Sequence, residues 1–255
     1  MFELLNNIQI VLVETSHPGN IGAAARAMKT MGLSQLKLVN PLSYPCAEAT
    51  ARASSANDLL ANAKVFSSLE NALADTVLVI GTSARERRLQ WPEYDPAEVA
   101  RLLLQEAQQA KVALVFGREK WGLTNEELAH CGAVVTINAN PEYSSLNLAS
   151  AVQIMSYELR RGLLAQQTAD SDRTVVSDDE APATTGEMEG LYGHLEQTLA
   201  DIGVTSGNKP KDMLLRRLRR LFNRARLSTT EVNILRGIFS AAQGKKQVRS
   251  SKQQN

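Results

Sequence analysis

Val134-Val135-Thr136-Ile137-Asn138, followed after one residue by Asn140-Pro141-Glu142-Tyr143-Ser144-Ser145-Leu146-Asn147-Leu148, is the stretch whose reading decides the fold of this 255-residue chain. The first run reads as a buried strand. The second is a polar loop, and the run from Ala149 to Leu164 reads as the helix that it opens. Backbone N–H groups at the start of a helix have no intrahelical partner, so a polar loop at that place can hold a ligand.

Four more apolar runs lie upstream: Ile8–Val13, Leu36–Val39, Val77–Ile80 and Val112–Phe116. They are continuous rather than alternating, as expected of strands buried on both faces. Helical patterns over Ile21–Met31, Leu69–Leu73, Pro96–Gln109 and Thr124–His130 separate them. This is the order of an α/β domain with a mainly parallel sheet, expected over residues 1–165. Residues 166–187 lose periodicity and turn acidic (Ser177-Asp178-Asp179-Glu180), which predicts a flexible linker. Residues 188–243 are expected to form a small all-helical domain. It comprises a helix over Gly190–Ile202 and a second over Asp212–Ala225, with Leu214, Leu218, Leu221 and Phe222 on one apolar stripe. A third helix is opened by the capping box Ser228-Thr229-Thr230-Glu231. Residues 244–255 read as a disordered basic tail.

Charge is unevenly spread. Residues 211–255 hold 12 basic and 2 acidic side chains, a net of +10, while the rest holds 16 and 25, a net of −9. A basic tail on an acidic body fits a polyanionic partner. Arg216, Arg217, Arg220 and Arg224 recur at helical spacing, so one helix face can follow a phosphate backbone; a solvated basic face is the alternative. Two distant cysteines, Cys46 and Cys131, exclude a disulfide framework and fit the cytosol. The start lacks the regions of a signal peptide, and no apolar run is long enough to span a membrane.

In open parallel sheets, ligands bind beyond the carboxyl ends of the strands. Three such ends carry small or polar residues: Gly81-Thr82-Ser83-Ala84, Gly117-Arg118-Glu119-Lys120-Trp121-Gly122 and the Ser/Asn loop. The first strand leads to Glu14-Thr15-Ser16-His17-Pro18-Gly19-Asn20-Ile21-Gly22, where the full Gly-x-Gly-x-x-Gly of a dinucleotide fold is absent. Asn20 reads either as a helix cap or as a site residue, and Arg26, six residues on, either as solvated or as a phosphate ligand. His17, His130 and His194 show no metal-binding spacing, so no metal is expected. No Gly-x-Ser-x-Gly elbow of a hydrolase is present.

Asn20…Arg26, Phe116-Gly117-Arg118-Glu119-Lys120-Trp121-Gly122 and Ser144-Ser145-Leu146-Asn147, in that order, resemble the three motifs of the SPOUT superfamily in its ribose 2′-O-methyltransferase branch. Gly193-His194-Leu195-Glu196-Gln197-Thr198-Leu199 and Asn233-Ile234-Leu235-Arg236-Gly237-Ile238 extend the resemblance into the tail, towards the bacterial tRNA-modifying members. The resemblance implies an SPOUT-type parallel sheet with a C-terminal trefoil knot, a class of topology that periodicity never proposes. It implies S-adenosylmethionine as methyl donor, a homodimer in which a second subunit completes the active site, and no metal. The implied reaction is methylation of the ribose 2′-oxygen of cytidine or uridine 32 in the tRNA anticodon loop, in the cytoplasm. The cofactor residues it implies are Thr82, Ser83, Ala84, Gly117, Ile137, Ser144, Ser145 and Leu146, and the catalytic set is Arg26, Asn20, Glu119, Ser145 and Asn147.

The leaving thioether of such a reaction is neutral, so alignment and removal of the hydroxyl proton are what the protein must supply; orientation alone is worth roughly 7–11 kcal/mol. The family assigns proton acceptance to the arginine at the position of Arg26. A guanidinium stays protonated below pH ~12, so fixing a phosphate and stabilising negative charge suits it better. Arg85, Arg87 and Arg88 either steer tRNA phosphates or are solvated, and Trp91-Pro92 reads as packing at a loop or dimer contact. Two other functions fit the chain: 2′-O-methylation of another RNA such as rRNA, and non-catalytic RNA binding by a retained SPOUT fold.

Overall fold

The structure is a computed structural model and describes residues 2–84, 91–169, 181–204 and 211–244. The chain divides into two compact units, Met1–Asp179 and Glu180–Asn255.

Among the described residues, the first unit is built on seven parallel strands: β1 (Ile8–Val13), β2 (Gln35–Val39), β3 (Lys64–Phe66), β4 (Leu78–Thr82), β5 (Glu93–Tyr94), β6 (Val112–Phe116) and β7 (Ala133–Val135). Their order across the sheet is β3-β2-β1-β6-β4-β7-β5. All five expected strands are present. The two extra ones, β3 and β5, are short edge strands whose partly exposed Lys-Val-Phe and Glu-Tyr carry no apolar run for a reader of sequence to find. β7 stops at Val135, two residues short of the expected Ile137.

Among the described residues, seven α-helices pack on this sheet: α1 (Pro18–Met31), α2 (Ala47–Ala53), α3 (Asn57–Ala61), α4 (Leu69–Leu73), α5 (Pro96–Glu106), α6 (Asn125–Leu128) and α7 (Leu148–Ala169). Alternate strand residues feed two cores. Ile8, Ile10 and Leu12 of β1 join Ile21 and Met28 of α1, Leu103 of α5 and Met155 of α7 on one face. Val11 and Val13 join Leu73 of α4 and Leu128 of α6 on the other. Burial on both faces is why these strands read as unbroken apolar runs.

α2 and α3 were not legible, because the alanine-rich α2 shows no apolar stripe and the five-residue α3 is too short to show one. α2 is held by close approach: a Cβ on Gly22 of α1 would lie 2.0 Å from the Ala49 carbonyl oxygen. α7 runs to Ala169, four residues past the expected domain edge at 165.

The second unit is helical: α8 (Thr185–Asp201), α9 (Lys211–Ala225) and α10 (Thr229–Ala242). It begins before the expected residue 188. The Ala183 amide donates to the Leu227 carbonyl at 2.9 Å, and Thr184 and Glu187 form a capping box that starts α8. The expected linker therefore loses residues at both ends, and residues 170–180 lie outside the described ones. The capping box at Ser228 and Glu231 is present. Met188, Leu191, Tyr192 and Val232 form the core, with Phe222 packed against it. Leu221, placed on the apolar stripe by its spacing, is instead 49% exposed. It sits one residue, or ~100°, away from Phe222 around the helix.

Candidate active site

Strand order reverses between β1 and β6, which run side by side with Leu12 opposite Phe116. A crevice opens at such a switch point beyond the carboxyl ends of the strands. Here the turn after β1 meets the turn after β6 through one carboxylate. Glu119 Oε2 accepts from the Ser16 amide at 3.1 Å and the Ser16 hydroxyl at 2.9 Å. Its Oε1 accepts from the His17 amide at 3.2 Å and Asn20 Nδ2 at 3.0 Å. Burial pulls the Glu119 carboxyl upward, but the bonds from Asn20 and the backbone amides outweigh it and hold the group at about 2. Glu119 is therefore an anion throughout the physiological range.

The Asn20 side-chain oxygen in turn accepts from Asn147 Nδ2 at 2.9 Å, and the Asn147 side-chain oxygen accepts from the Ala149 amide at the start of α7. Three segments far apart in sequence are thus tied into one chain, Asn147–Asn20–Glu119. Asn20 is not the helix cap: His17 occupies that position, and the Asn20 amide is spent on its neighbours across the crevice.

Thr82, Ser83, Ala84, Gly117, Ile137, Ser144, Ser145 and Leu146 all line one cavity, together with Glu119. Ser83 is fixed by its amide, which donates to the Val135 carbonyl at 3.0 Å. Gly117 is required by space: a Cβ there would lie 2.1 Å from the Gly122 carbonyl carbon and 2.2 Å from the Leu123 amide nitrogen. Of the five residues of the catalytic set, Asn20, Glu119 and Asn147 are joined by hydrogen bonds and Ser145 lines the cavity. Arg26 stands apart, exposed on α1 and outside the cavity lining. Arg85, Arg87 and Arg88 lie outside the described residues.

Three partners of the site escaped sequence reasoning. Ser16 and His17 are Glu119's donors. Arg118 is the third: Nε donates to Glu14 at 2.8 Å, and Nη1 and Nη2 donate to the two Glu127 oxygens, each at 3.0 Å. Those bonds, Glu127's foremost, hold the guanidinium charge above arginine's ordinary range. Glu127 also closes the capping box of α6 with Thr124, a spacing that was visible in the sequence. Glu14 occupies the left-handed region at φ 47°, where a non-glycine residue is strained.

In the second unit, Arg217 and Arg224 are exposed, whereas Arg216 and Arg220 are half-buried. Arg219, which the spacing argument passed over, is structural. It forms a bidentate pair with Glu189 at 2.6 and 2.7 Å and lies 4.4 Å from the Tyr192 ring. Trp91 is also a packing residue, donating from Nε1 to the Leu128 carbonyl at 3.1 Å. Among the described residues, no group of His, Cys, Asp and Glu side chains has the arrangement of a metal site. No helix there is long and apolar enough to cross a membrane.

Residues 7–157 match the SpoU rRNA Methylase family, and residues 186–254 match the C-terminal domain of the tRNA methyltransferase TrmJ. The tRNA (cytidine/uridine-2′-O-)-methyltransferase TrmJ of Escherichia coli K12 is 52% identical over 239 residues, covering 93% of this chain and 96% of the relative. The Citrobacter koseri enzyme of the same name is 51% identical over 238 residues, covering 93% and 97%. Among solved structures, TrmJ from Z. mobilis ZM4 superposes with a TM-score of 0.80 at 34% identity, covering 91% of this chain and 97% of that one. A probable methylase family protein from Haemophilus influenzae Rd KW20 gives 0.65 at 44% identity, covering 94% and 97%. With the parallel sheet, the three tied motifs and the helical C-terminal unit all in place, the chain belongs to the SpoU methylase family, in its TrmJ branch.

Proposed function

We propose that this protein transfers a methyl group from S-adenosylmethionine to the ribose 2′-oxygen of cytidine or uridine 32 in the tRNA anticodon loop, as a cytoplasmic homodimer. The observation that supports this most is the chain Asn147–Asn20–Glu119 on the rim of the cavity that the eight cofactor candidates line. Small side chains and backbone amides at three strand ends suit a folded nucleoside, with Ile137 and Leu146 against the adenine. The trefoil knot belongs to the same reading.

Glu119, fixed as an anion, orients Asn20, and Asn20 holds Asn147; the second N–H of each side-chain NH2 group is then assigned to the substrate ribose, and Ser145 to the cavity wall beside it. Arg26 does not reach its own cavity. Its exposed place on α1 suits a homodimer in which each copy's arginine serves the other copy's substrate phosphate. Arg217 and Arg224, with Arg216 and Arg220 beside them, add phosphate affinity rather than sequence choice.

The choice of nucleotide 32 is weighed against position 34. A structure titled for 2-OH methylation of C/U34 on tRNA has a TM-score of 0.51 at 26% identity and covers 62% of this chain. It matches no more than the extent of the first unit, whereas the TrmJ relatives match nearly the whole chain. The test is incubation with radiolabelled S-adenosylmethionine and unmodified tRNA transcript, followed by mapping of the label. Label on the ribose of nucleotide 32 is expected. Label at 34, or on rRNA alone, overturns the substrate while keeping the chemistry. Failure to bind S-adenosylmethionine points to a non-catalytic RNA-binding protein.

A further inference from the structure

We propose that Trp121 is the platform on which the base of the target nucleotide stacks, an inference that rests on the reading of the protein as an RNA ribose methyltransferase. Trp121 lines the candidate cofactor cavity yet is 61% exposed. The other large aromatic ring of the lining, Phe116, is 1% exposed and belongs to the core. An indole left open to water beside a cavity is a surface prepared for a flat ligand.

The turn that carries the ring is also fixed. Trp121 sits in a closed turn in which the Arg118 amide donates to Gly122 at 3.3 Å and the Gly122 amide donates back at 2.8 Å. Gly122 takes φ 66° to close it. Arg118 pins the base of the turn to Glu14 and Glu127, and the Lys120 ammonium stands 4.8 Å from the indole centroid. An aromatic with two side-chain torsions on a fixed turn loses little entropy when a base stacks on it.

Geometry names the occupant. Glu119, two residues before Trp121, orients the Asn20 amide to which the target ribose is assigned. A base is joined directly to its ribose, so it must lie within one ring's length of that place. For the 2′-oxygen to enter a cavity, the nucleotide must leave its neighbours' stack, and its exposed π-face needs a replacement surface. An indole supplies one without reading base edges, so it serves cytidine and uridine alike.

The test uses the full-length enzyme with tRNA transcripts carrying C or U at the target position. Trp121→Ala is expected to raise KM for both by about 5- to 140-fold, the equivalent of one base–aromatic stack of ~1–3 kcal/mol. S-adenosylmethionine affinity should stay within about twofold, and Trp121→Phe should recover most of the loss. Transcript should quench tryptophan fluorescence of the wild type but not of Trp121→Phe, whose remaining indole is the half-buried Trp91. An unchanged KM in Trp121→Ala overturns the proposal. So does loss of cofactor binding, which would make the indole a cofactor lid, or a change in oligomeric mass, which would make it a subunit contact. Absence of methyl transfer by the wild type overturns the underlying function instead, and so the two failures are distinguishable.

Discussion

Replacing Glu119 by glutamine should slow methyl transfer about 10- to 150-fold while leaving the fold intact. The carboxylate accepts four hydrogen bonds, two on each oxygen. In a glutamine with its NH2 group on the Ser16 side, two of the four bonds to a charged acceptor are lost: the Ser16 amide faces another donor, and the Ser16 hydroxyl must turn to accept. Hydrogen bonds to charged acceptors contribute ~1.5–3 kcal/mol each, and the lower value suits this half-exposed site, giving about 3 kcal/mol for two. The same bonds lower the carboxyl from 4.5 to about 2. That fall corresponds to ~3 kcal/mol before solvent screening and roughly half that after. A loss of ~1.5–3 kcal/mol in holding Asn20, expressed in the transition state, gives the stated range. Single-turnover transfer at saturating S-adenosylmethionine reads it directly. The sign of the pH effect follows from the depressed carboxyl: its contribution to stability is complete above 4.5 and is lost as pH falls towards 2. Glu119→Gln should therefore flatten the acid limb of a stability–pH curve. A rate within threefold of wild type, with an unchanged melting temperature, would refute the positioning argument.

Gly117→Ala forces a Cβ into the Gly122–Leu123 backbone, and calorimetry should show S-adenosylmethionine affinity reduced at least tenfold with the sheet still folded. On the far side of the molecule, Lys37, with a side chain 7% exposed, bonds the Ala72 carbonyl and Asp75, which also pairs with Lys111 at 2.9 Å. Burial pulls Lys37 below its usual range, and Asp75 is held at about 2 because the two lysines outweigh its own desolvation. Asp75→Asn should cost about 2 kcal/mol in urea unfolding by stranding a buried ammonium, whereas Lys37→Met should stay within ~1 kcal/mol of wild type; the reverse order would refute the account.

The parallel sheet was legible because burial on both faces leaves unbroken runs such as Val112–Phe116, and hydrophobicity records burial directly. The edge strands were not, since Lys64–Phe66 and Glu93–Tyr94 are defined by backbone pairing to a neighbour rather than by their own side chains. The same distinction runs through the site. Asn20, Glu119 and Asn147 were found because a motif preserves them in order, but the bonds that join them span 99 and 127 residues of sequence. Ser16 and His17 act there through backbone amides, which any residue carries, so no side-chain pattern marks them. Leu221 shows the converse failure: helical spacing places it near the apolar stripe, and only packing around Phe222 decides which of the two faces inward.

The position of Arg26 leads to a test that separates one copy from two. If Arg26 served its own chain's cavity, mixing inactive Arg26→Ala with impaired Glu119→Gln would give mixed dimers in which each site carries one lesion, and activity would stay low. If each copy's arginine serves the other copy's cavity, the same mixed dimer holds one site with both lesions and one with neither. Random exchange makes half of the dimers mixed, so about a quarter of all sites regain wild-type composition. Co-refolding or slow subunit exchange at equal concentrations should therefore restore about a quarter of the wild-type rate, well above the residual rate expected of Glu119→Gln alone. The exposed guanidinium on α1, outside the cavity its own chain forms, favours that outcome. No recovery, with mixed dimers verified by mass, would return Arg26 to its own subunit and require α1 or the motif loops to move before substrate is engaged.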